Sequence, residues 1–236
     1  LDSDELLYCQ NDVLGLVEAV HSRLKNYNDT LYTIPLTSTG YVRREAKKAM
    51  RGVNRTWLRE IMPRYEVYKA LREAFRGGNT HANRYYVGNI VENVKTMDLE
   101  SAYPAAQACF KFPMTPFKPV EEKYISYDRL TDLLNKGKAL LMRVAFYDFK
   151  LKSKYWGFPY LAKAKCRECV GTIEDNGRLL QGQYIETTMT DIDLKIIIDE
   201  YDIKDILFIN CYYSNYDYLP DCYLELLKNW YTKKTE

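Results

Sequence analysis

The stretch Met97-Asp98-Leu99-Glu100-Ser101-Ala102-Tyr103-Pro104 joins a strand-like run to a short helix rich in small residues. Val94, Met97 and Leu99 supply the apolar content of a strand, and Pro104 suits the first turn of a helix that continues through the alanines behind it. The pattern predicts a strand, a sharp turn and a helix, with a carboxylate where the strand ends.

The predicted turn carries groups that suit phosphate chemistry. Asp98 is expected at the strand end, aimed out of a sheet, where a carboxylate can hold a divalent metal. The backbone N–H groups of residues 99–102 can meet phosphate oxygens, and Tyr103 can close one side of a nucleotide pocket. An ordinary strand-to-helix turn with a capping aspartate is the other interpretation.

Asp-Leu-Glu-Ser-Ala-Tyr-Pro resembles motif A of family B DNA polymerases, Asp-x-x-Ser-Leu-Tyr-Pro, with Ala102 where Leu is usual. In that family the aspartate ligates the catalytic metals and the next residue contributes its backbone carbonyl. The tyrosine packs under the sugar and excludes a 2′-hydroxyl. The resemblance implies these roles for Asp98, Leu99 and Tyr103, with Ser101 and Ala102 also at the nucleotide, and it implies Mg²⁺ or Mn²⁺ as cofactor.

A second resemblance precedes motif A. Phe75-Arg76-Gly77-Gly78 is similar to the Tyr-x-Gly-Gly loop that protein-primed polymerases place between nuclease and polymerase domains, with Phe in place of Tyr. Paired glycines permit positive φ and close backbone approach, so the loop, with Arg76, Asn83 and Arg84, is expected to grip a template phosphate backbone. A helix C-cap followed by a turn is compatible with the same residues.

Tyr8-Cys9-Gln10-Asn11-Asp12 fits the Tyr-x-x-x-Asp pattern of the third motif of proofreading 3′–5′ exonucleases. On a helix the first and last of these residues share a face. The resemblance implies that Tyr8 orients the attacking water and that Asp12 binds a metal. The three motifs follow one another in the order that family B polymerases use.

Two other polymerase motifs are missing from the sequence. It contains neither Lys-x-x-x-Asn-Ser-x-Tyr-Gly, which contacts the incoming triphosphate in the family, nor Asp-Thr-Asp, which supplies the second polymerase carboxylate. Two-metal phosphoryl transfer needs both carboxylates. The first two exonuclease motifs are expected upstream. We therefore interpret the chain as an interior fragment, from a truncation, proteolysis or a split gene, and expect it to be inactive by itself.

Charge and composition favour a folded, DNA-binding protein. The 236 residues are 47% hydrophobic, enough to bury a core. Residues 43–84 hold twelve Lys or Arg against four Glu, a local charge of +8 in a chain of net +2. Beside the two loop motifs this segment, including Arg43 and Arg44, is expected to bind DNA phosphates, although a solvated helix face has the same composition. With no membrane-length apolar run and no signal-peptide pattern, we expect a cytoplasmic location.

The six cysteines are expected to be reduced thiols. Cys166 and Cys169 have metal-binding spacing, but a zinc site needs two further ligands and both histidines lie far away in sequence. We do not predict zinc there, and two cysteines near a hairpin tip are the plainer interpretation.

The predicted fold class is α+β: a helical N-terminal part, a partial polymerase palm with a short sheet, and a mixed α/β insertion. Residues 1–36 are assigned to the end of an exonuclease domain, 37–118 to linker helices, the Gly-Gly loop and the palm, and 119–236 to an insertion that resembles terminal protein region 1 and ends before the fingers. Periodicity and turn signals predict helices over 4–26, within 41–74, after Pro104, and over 126–136, 190–200 and 220–234, strands over 138–149 and 204–213, and a hairpin at Asp175-Asn176-Gly177.

These features predict a piece of a DNA-directed DNA polymerase of the protein-primed phage branch. Its expected partners are primer-template DNA, a deoxynucleoside triphosphate, a terminal (priming) protein and the remaining polymerase segments, with no membrane. The alternative is a non-catalytic module, derived from a polymerase, that binds DNA or a terminal protein.

Overall fold

The computed structural model of the chain describes residues 2–53, 55–122 and 125–235. Its α-helices are α1 (Ser3–Tyr27), α2 (Ser38–Ala49), α3 (Arg55–Ile61), α4 (Tyr65–Ala74), α5 (Ala102–Cys109), α6 (Tyr127–Asn135), α7 (Asp191–Glu200) and α8 (Asp221–Thr235). Its strands are β1 (Phe112–Pro113), β2 (Lys118–Pro119), β3 (Lys138–Leu151), β4 (Cys166–Val170), β5 (Ile173–Asp175), β6 (Arg178–Thr190) and β7 (Tyr201–Asp217). The chain forms two compact units, residues up to Gly52 and residues from Val53 onwards.

The first unit contains α1, α2, the turn between them and a short 3₁₀ turn over Met50–Gly52. Asp29, just after α1, accepts two hydrogen bonds from the Arg44 guanidinium of α2, at 2.6 and 2.9 Å. The Arg44 hydrogen bond holds the pKa of the Asp29 carboxyl below its usual range. The rings of Tyr27 and Tyr41 pack beside the pair with centroids 4.4 Å apart. One charged pair and one aromatic pair thus join the two helices.

The second unit is built on an antiparallel sheet in the order β1-β7-β3-β6-β4, with β2 also paired to β7 and β5 to β6. β3 lies in the middle, hydrogen-bonded to β6 along one edge and to β7 along the other. A bulge in β7 opposite Arg143 and Val144 shifts the register of that pairing. The β5–β6 hairpin turns at Asn176 and Gly177, both with positive φ, as a tight two-residue turn requires.

Helices cover both faces of the sheet at β3. Leu140 and Met142 point to the face that α6 and α7 cover, where Leu130 and Leu194 are fully buried. Leu141, between them, points to the opposite face and packs against Val67 of α4. The alternation follows the two-residue period of a strand. The core therefore lies on both sides of β3.

Most of the predicted elements are confirmed. The fold is α+β, and helices and strands form close to the expected positions, including the hairpin at Asn176-Gly177. α7 starts immediately after β6 because Thr190 and Asp193 form a capping box. The assignment of segments to nuclease, palm and insertion stays a prediction.

The strand predicted before Asp98 is wrong. Residues 94–99 form no strand, and Val94, Met97 and Leu99 are 70%, 93% and 78% exposed. A strand forms only where a neighbour pairs with its backbone N–H and C=O groups, and no described strand pairs with this segment. The apolar content of a strand is present, but no pairing partner is present among the described residues.

Asp191 joins three elements inside the second unit, which makes its removal a test of the fold. Its buried carboxylate accepts a hydrogen bond from the Leu140 N–H at 3.0 Å and another from the Tyr216 hydroxyl at 3.0 Å. Asp191→Ala leaves both donors unpaired, so we expect the free energy of unfolding in urea to fall by about 2–4 kcal/mol.

The matched control is Asp202→Ala, which removes an exposed carboxylate from β7, near the start of the strand that also carries Tyr216. We expect a change within about 0.5 kcal/mol there. Equal losses in the two variants would contradict the role given to Asp191.

Candidate functional site

Asp98 lies in an irregular segment immediately before α5, with its carboxylate exposed to solvent. Within the described part of the chain it makes no hydrogen bond or ion pair. Ser101 follows with a left-handed backbone (φ 51°), and its carbonyl accepts the N–H of Ala105 at 3.0 Å. Tyr103, the second residue of α5, is 83% exposed. The turn and the helix are therefore as predicted, and the carboxylate and the phenol ring both face solvent.

A lysine that the sequence analysis did not single out lies beside this turn. The Nζ atom of Lys234, in the last turn of α8, donates a hydrogen bond to Ser101 Oγ at 2.9 Å. α8 runs next to α5, and a cleft of about 600 Å³ lies between them, lined by residues that include Glu100, Pro104 and Tyr231. The two partners are 133 residues apart, so no local pattern points to the contact.

The oxygen donors at this turn suit a hard divalent cation. The Asp98 carboxylate and the Leu99 carbonyl are the ligand types that Mg²⁺ and Mn²⁺ prefer. Among the described residues no group of three or more His, Cys, Asp or Glu side chains is arranged to hold a metal. The turn thus offers part of a metal site, with one carboxylate ligand and one carbonyl ligand.

The Gly-Gly loop begins where α4 ends, which confirms the helix-end interpretation of these residues. Phe75 is exposed, and its N–H donates to the Leu71 carbonyl at 2.9 Å. Neither Gly77 nor Gly78 has positive φ, so the conformational freedom expected of them is not used. A Cβ built on either glycine would meet no atom within 4 Å. The absence of a side chain leaves the loop backbone open.

Arg76 turns inward instead of facing solvent. Its side chain is 13% exposed, and its Nε atom lies 3.3 Å from Asp193 Oδ1 at the start of α7. The guanidinium carbon is 5.7 Å from the centre of the Tyr160 ring, and Nη2 lies 3.5 Å from Thr187 Oγ1. The structure therefore places the Arg76 side chain among residues of the second unit that pack at the sheet. Its predicted contact with DNA stays a prediction.

The other predicted DNA-binding residues differ in what they face. Asn83 accepts the N–H of Tyr85 at 3.1 Å and so shapes its own turn. Arg84 is exposed, with its guanidinium 5.9 Å from the Trp156 ring. In the first unit Arg43 is exposed, whereas Arg44 forms an ion pair with Asp29.

Tyr8 and Asp12 lie one turn apart on α1, and both are exposed. Neither has a hydrogen-bond or ion-pair partner among residues 2–53. The helical spacing is as predicted, and the nuclease roles of the two side chains stay predictions.

Cys166 and Cys169 are half-buried free thiols in β4 and not at a hairpin tip. Cys166 Sγ lies 3.5 Å from the Ala162 carbonyl oxygen, and burial raises the pKa of this thiol to about 12.

The comparisons with known proteins found one matching family and one similar fold. A family model described as DNA polymerase type B, organellar and viral, matches residues 1–236. A search of curated proteins found no match. The fold is similar to Phi29 DNA polymerase complexed with primer-template DNA in a post-translocation binary complex (TM-score 0.72, 18% identity, 100% of this chain and 37% of that chain). It is also similar to the ternary complex of that polymerase with incoming nucleotide substrates (TM-score 0.65, 18% identity, 98% and 37%).

The chain thus spans little more than a third of the Phi29 polymerase chains that it matches. In the described residues, no helix has both the length and the apolar character of a membrane span.

Gly78→Ala tests whether the loop backbone is open on the protein side. A methyl group there meets no protein atom and φ is not positive, so we expect the free energy of unfolding in urea to be unchanged or to rise by about 0.4–1 kcal/mol. Gly177→Ala is the matched control, because φ is +74° there and the same change is expected to destabilise the hairpin. Similar losses in both variants would contradict the described loop.

Proposed function

Because the chain belongs to the family of organellar and viral type B DNA polymerases, we propose that it is part of a protein that adds deoxynucleotides to the 3′-hydroxyl of a DNA primer. The observation that carries the proposal is the turn before α5. It presents the exposed carboxylate of Asp98 and the exposed ring of Tyr103 on either side of Ser101. The Asp98 carboxylate has no partner among the described residues and is therefore available to a metal, and the exposed Tyr103 ring is available to a sugar.

We assign the metal-binding share of the reaction to Asp98 and to the carbonyl of Leu99. A bound Mg²⁺ or Mn²⁺ would neutralise negative charge on the reacting phosphates, in a two-metal arrangement that requires a second carboxylate from elsewhere in a longer protein. Tyr103, at the start of α5, would pack against the sugar and reject a 2′-hydroxyl. Ser101 and the Lys234 cation hydrogen-bonded to it would contact the nucleotide phosphates, because both groups lie at the turn that carries Asp98.

The Gly-Gly loop is the proposed contact to the primer-template. Its backbone at Gly77 and Gly78 is open, Phe75 is exposed beside it, and Arg84 contributes a solvent-facing cation. Backbone N–H groups and arginines are the usual partners of DNA phosphates. The similar Phi29 structures contain primer-template DNA, which supports the same partner for this chain.

The remaining roles follow from the motif order. Tyr8 and Asp12 would belong to a proofreading exonuclease, and the sheet of the second unit to an insertion that binds a terminal protein in protein-primed replication. Protein-primed synthesis in the cytoplasm of an infected cell is the setting we propose. With one of the two polymerase carboxylates, the 236-residue chain is proposed to be inactive alone.

Asp98→Ala tests the catalytic assignment in the longer gene product. We expect magnesium-dependent primer extension to fall by at least about a thousandfold, since a ligand of the reacting phosphates' cation is lost. The melting temperature should stay unchanged, because Asp98 is exposed. Glu100→Ala is the matched control, two residues away, and should extend normally. Extension by Asp98→Ala would refute the assignment, and no extension by the wild type would favour the binding-module alternative.

Gly78→Ala tests the proposed DNA contact in the 236-residue chain. We expect the Kd for a primer-template duplex to rise by about tenfold or more, because the methyl group occupies the side of the backbone that a phosphate would approach. The stability measured above separates this effect from misfolding. Gly15→Ala, on the exposed α1, is the control that should leave the Kd unchanged. An unchanged Kd for Gly78→Ala would remove the loop from the DNA interface.

A further inference from the structure

Glu73, in the last turn of α4, is held by two strands of the sheet. Both of its carboxylate oxygens accept a hydrogen bond from Arg167 Nη2 at 2.6 Å, and Oε2 also accepts from Arg167 Nε at 3.2 Å. The Thr188 hydroxyl donates to the same oxygen at 2.9 Å. Arg167 lies in β4 and Thr188 in β6. The Arg167 hydrogen bonds hold the pKa of Glu73 below its usual range.

Arg76 follows three residues later and is held by a second group of partners. Asp193 Oδ1 faces the Arg76 guanidinium and also accepts from the Tyr160 hydroxyl. Asp193 Oδ2 accepts from the N–H and the hydroxyl of Thr190, at 2.8 Å each, and so caps α7. One carboxylate therefore serves both the helix start and the arginine. Burial and Asp193 raise the pKa of the Tyr160 phenol, so that the hydroxyl stays a donor.

Glu73 and Arg76 carry opposite charges, and their ion pairs differ in burial. The Glu73–Arg167 pair is partly exposed, at 27% and 38%, whereas Arg76 and Asp193 are 13% and 10% exposed. Removing one member of a buried charge pair leaves the other uncompensated, so Asp193 and Arg76 depend on each other strongly. Phe75, between Glu73 and Arg76 in the sequence, is exposed. Gly77 and Gly78, which follow Arg76, have open space around their backbone. The chain is thus anchored immediately before it enters the loop.

We propose that Glu73 and Arg76 are positioning residues that hold the start of the Gly-Gly loop against the sheet. The sheet, which belongs to the proposed insertion, thereby fixes the position at which the loop backbone contacts DNA. The DNA part of this inference rests on the proposed function. The anchoring part does not, because it concerns contacts within the chain.

Trypsin cleavage after Arg76 in the complete 236-residue chain tests the anchor without DNA. Trypsin must extract the arginine from its cluster, so cleavage reports the population of the released loop. Cleavage after the exposed Arg84, measured in the same digest by mass spectrometry, is the internal reference. In the wild type we expect cleavage at Arg76 to be at least about tenfold slower than at Arg84.

Asp193→Asn and Glu73→Gln remove one negative charge from each anchor. We expect relative cleavage at Arg76 to rise by about tenfold or more in Asp193→Asn and by a smaller factor in Glu73→Gln, whose pair is more exposed. Glu174→Gln breaks an exposed pair with Lys163 and should leave the ratio unchanged. A circular-dichroism melt checks folding, and if Asp193→Asn does not fold, Glu73→Gln decides.

The Kd for a primer-template duplex, measured on the same variants, separates the two parts of the inference. Faster cleavage with weaker DNA binding supports the whole of it. Faster cleavage with an unchanged Kd supports the anchoring of the loop by Glu73 and Arg76 and overturns the proposal that this anchoring affects DNA binding. A ratio that matches the wild type in both variants, or wild-type cleavage at Arg76 as fast as at Arg84, overturns the anchor itself.

Discussion

Strand β3 requires a hydrogen-bonding partner along each of its edges, and the second unit is arranged around that requirement. Its 14 residues are mostly buried, so most of its N–H and C=O groups must find partners within the protein. β6 satisfies one edge and β7 the other. Because β6 and β7 are joined through α7, the same connection places a helix against the face of β3. Asp191 and Asp193, at the start of that helix, then reach the backbone of β3 and the arginine of the Gly-Gly loop.

Residues 94–99 show the same requirement unmet. They carry the apolar content of a strand but pair with no described strand, and their side chains are exposed. Within the part of the chain that the structure describes, the exposed Asp98 carboxylate also makes no hydrogen bond or ion pair. In the proposed polymerase this surface would be completed by segments of the longer protein, which would also bring the second carboxylate.

Local elements were well predicted because they depend on near neighbours along the chain. The α7 start follows from Thr190 and Asp193, three residues apart, and the β5–β6 hairpin from Asn176-Gly177. α5 begins at the turn in front of Pro104, as its sequence indicates. The prediction that failed concerns a pairing partner: no described strand pairs with the segment before Asp98. Arg76 lies beside the carboxylate of Asp193, and its predicted contact with DNA stays a prediction.

The sequence by itself determined the positions of the helices and of strands β3 and β7, the order of the three motifs and the excess of positive charge in residues 43–84. Only the tertiary structure decided which charges remain free. Arg76 meets Asp193 and Lys234 meets Ser101 across more than a hundred residues, whereas Asp98 has no hydrogen-bond or ion-pair partner among the described residues. Capping and turn signals act over three or four residues and are legible in sequence. A contact between residues far apart in sequence depends on how strands pair and helices pack. The local sequence around either residue does not identify the other.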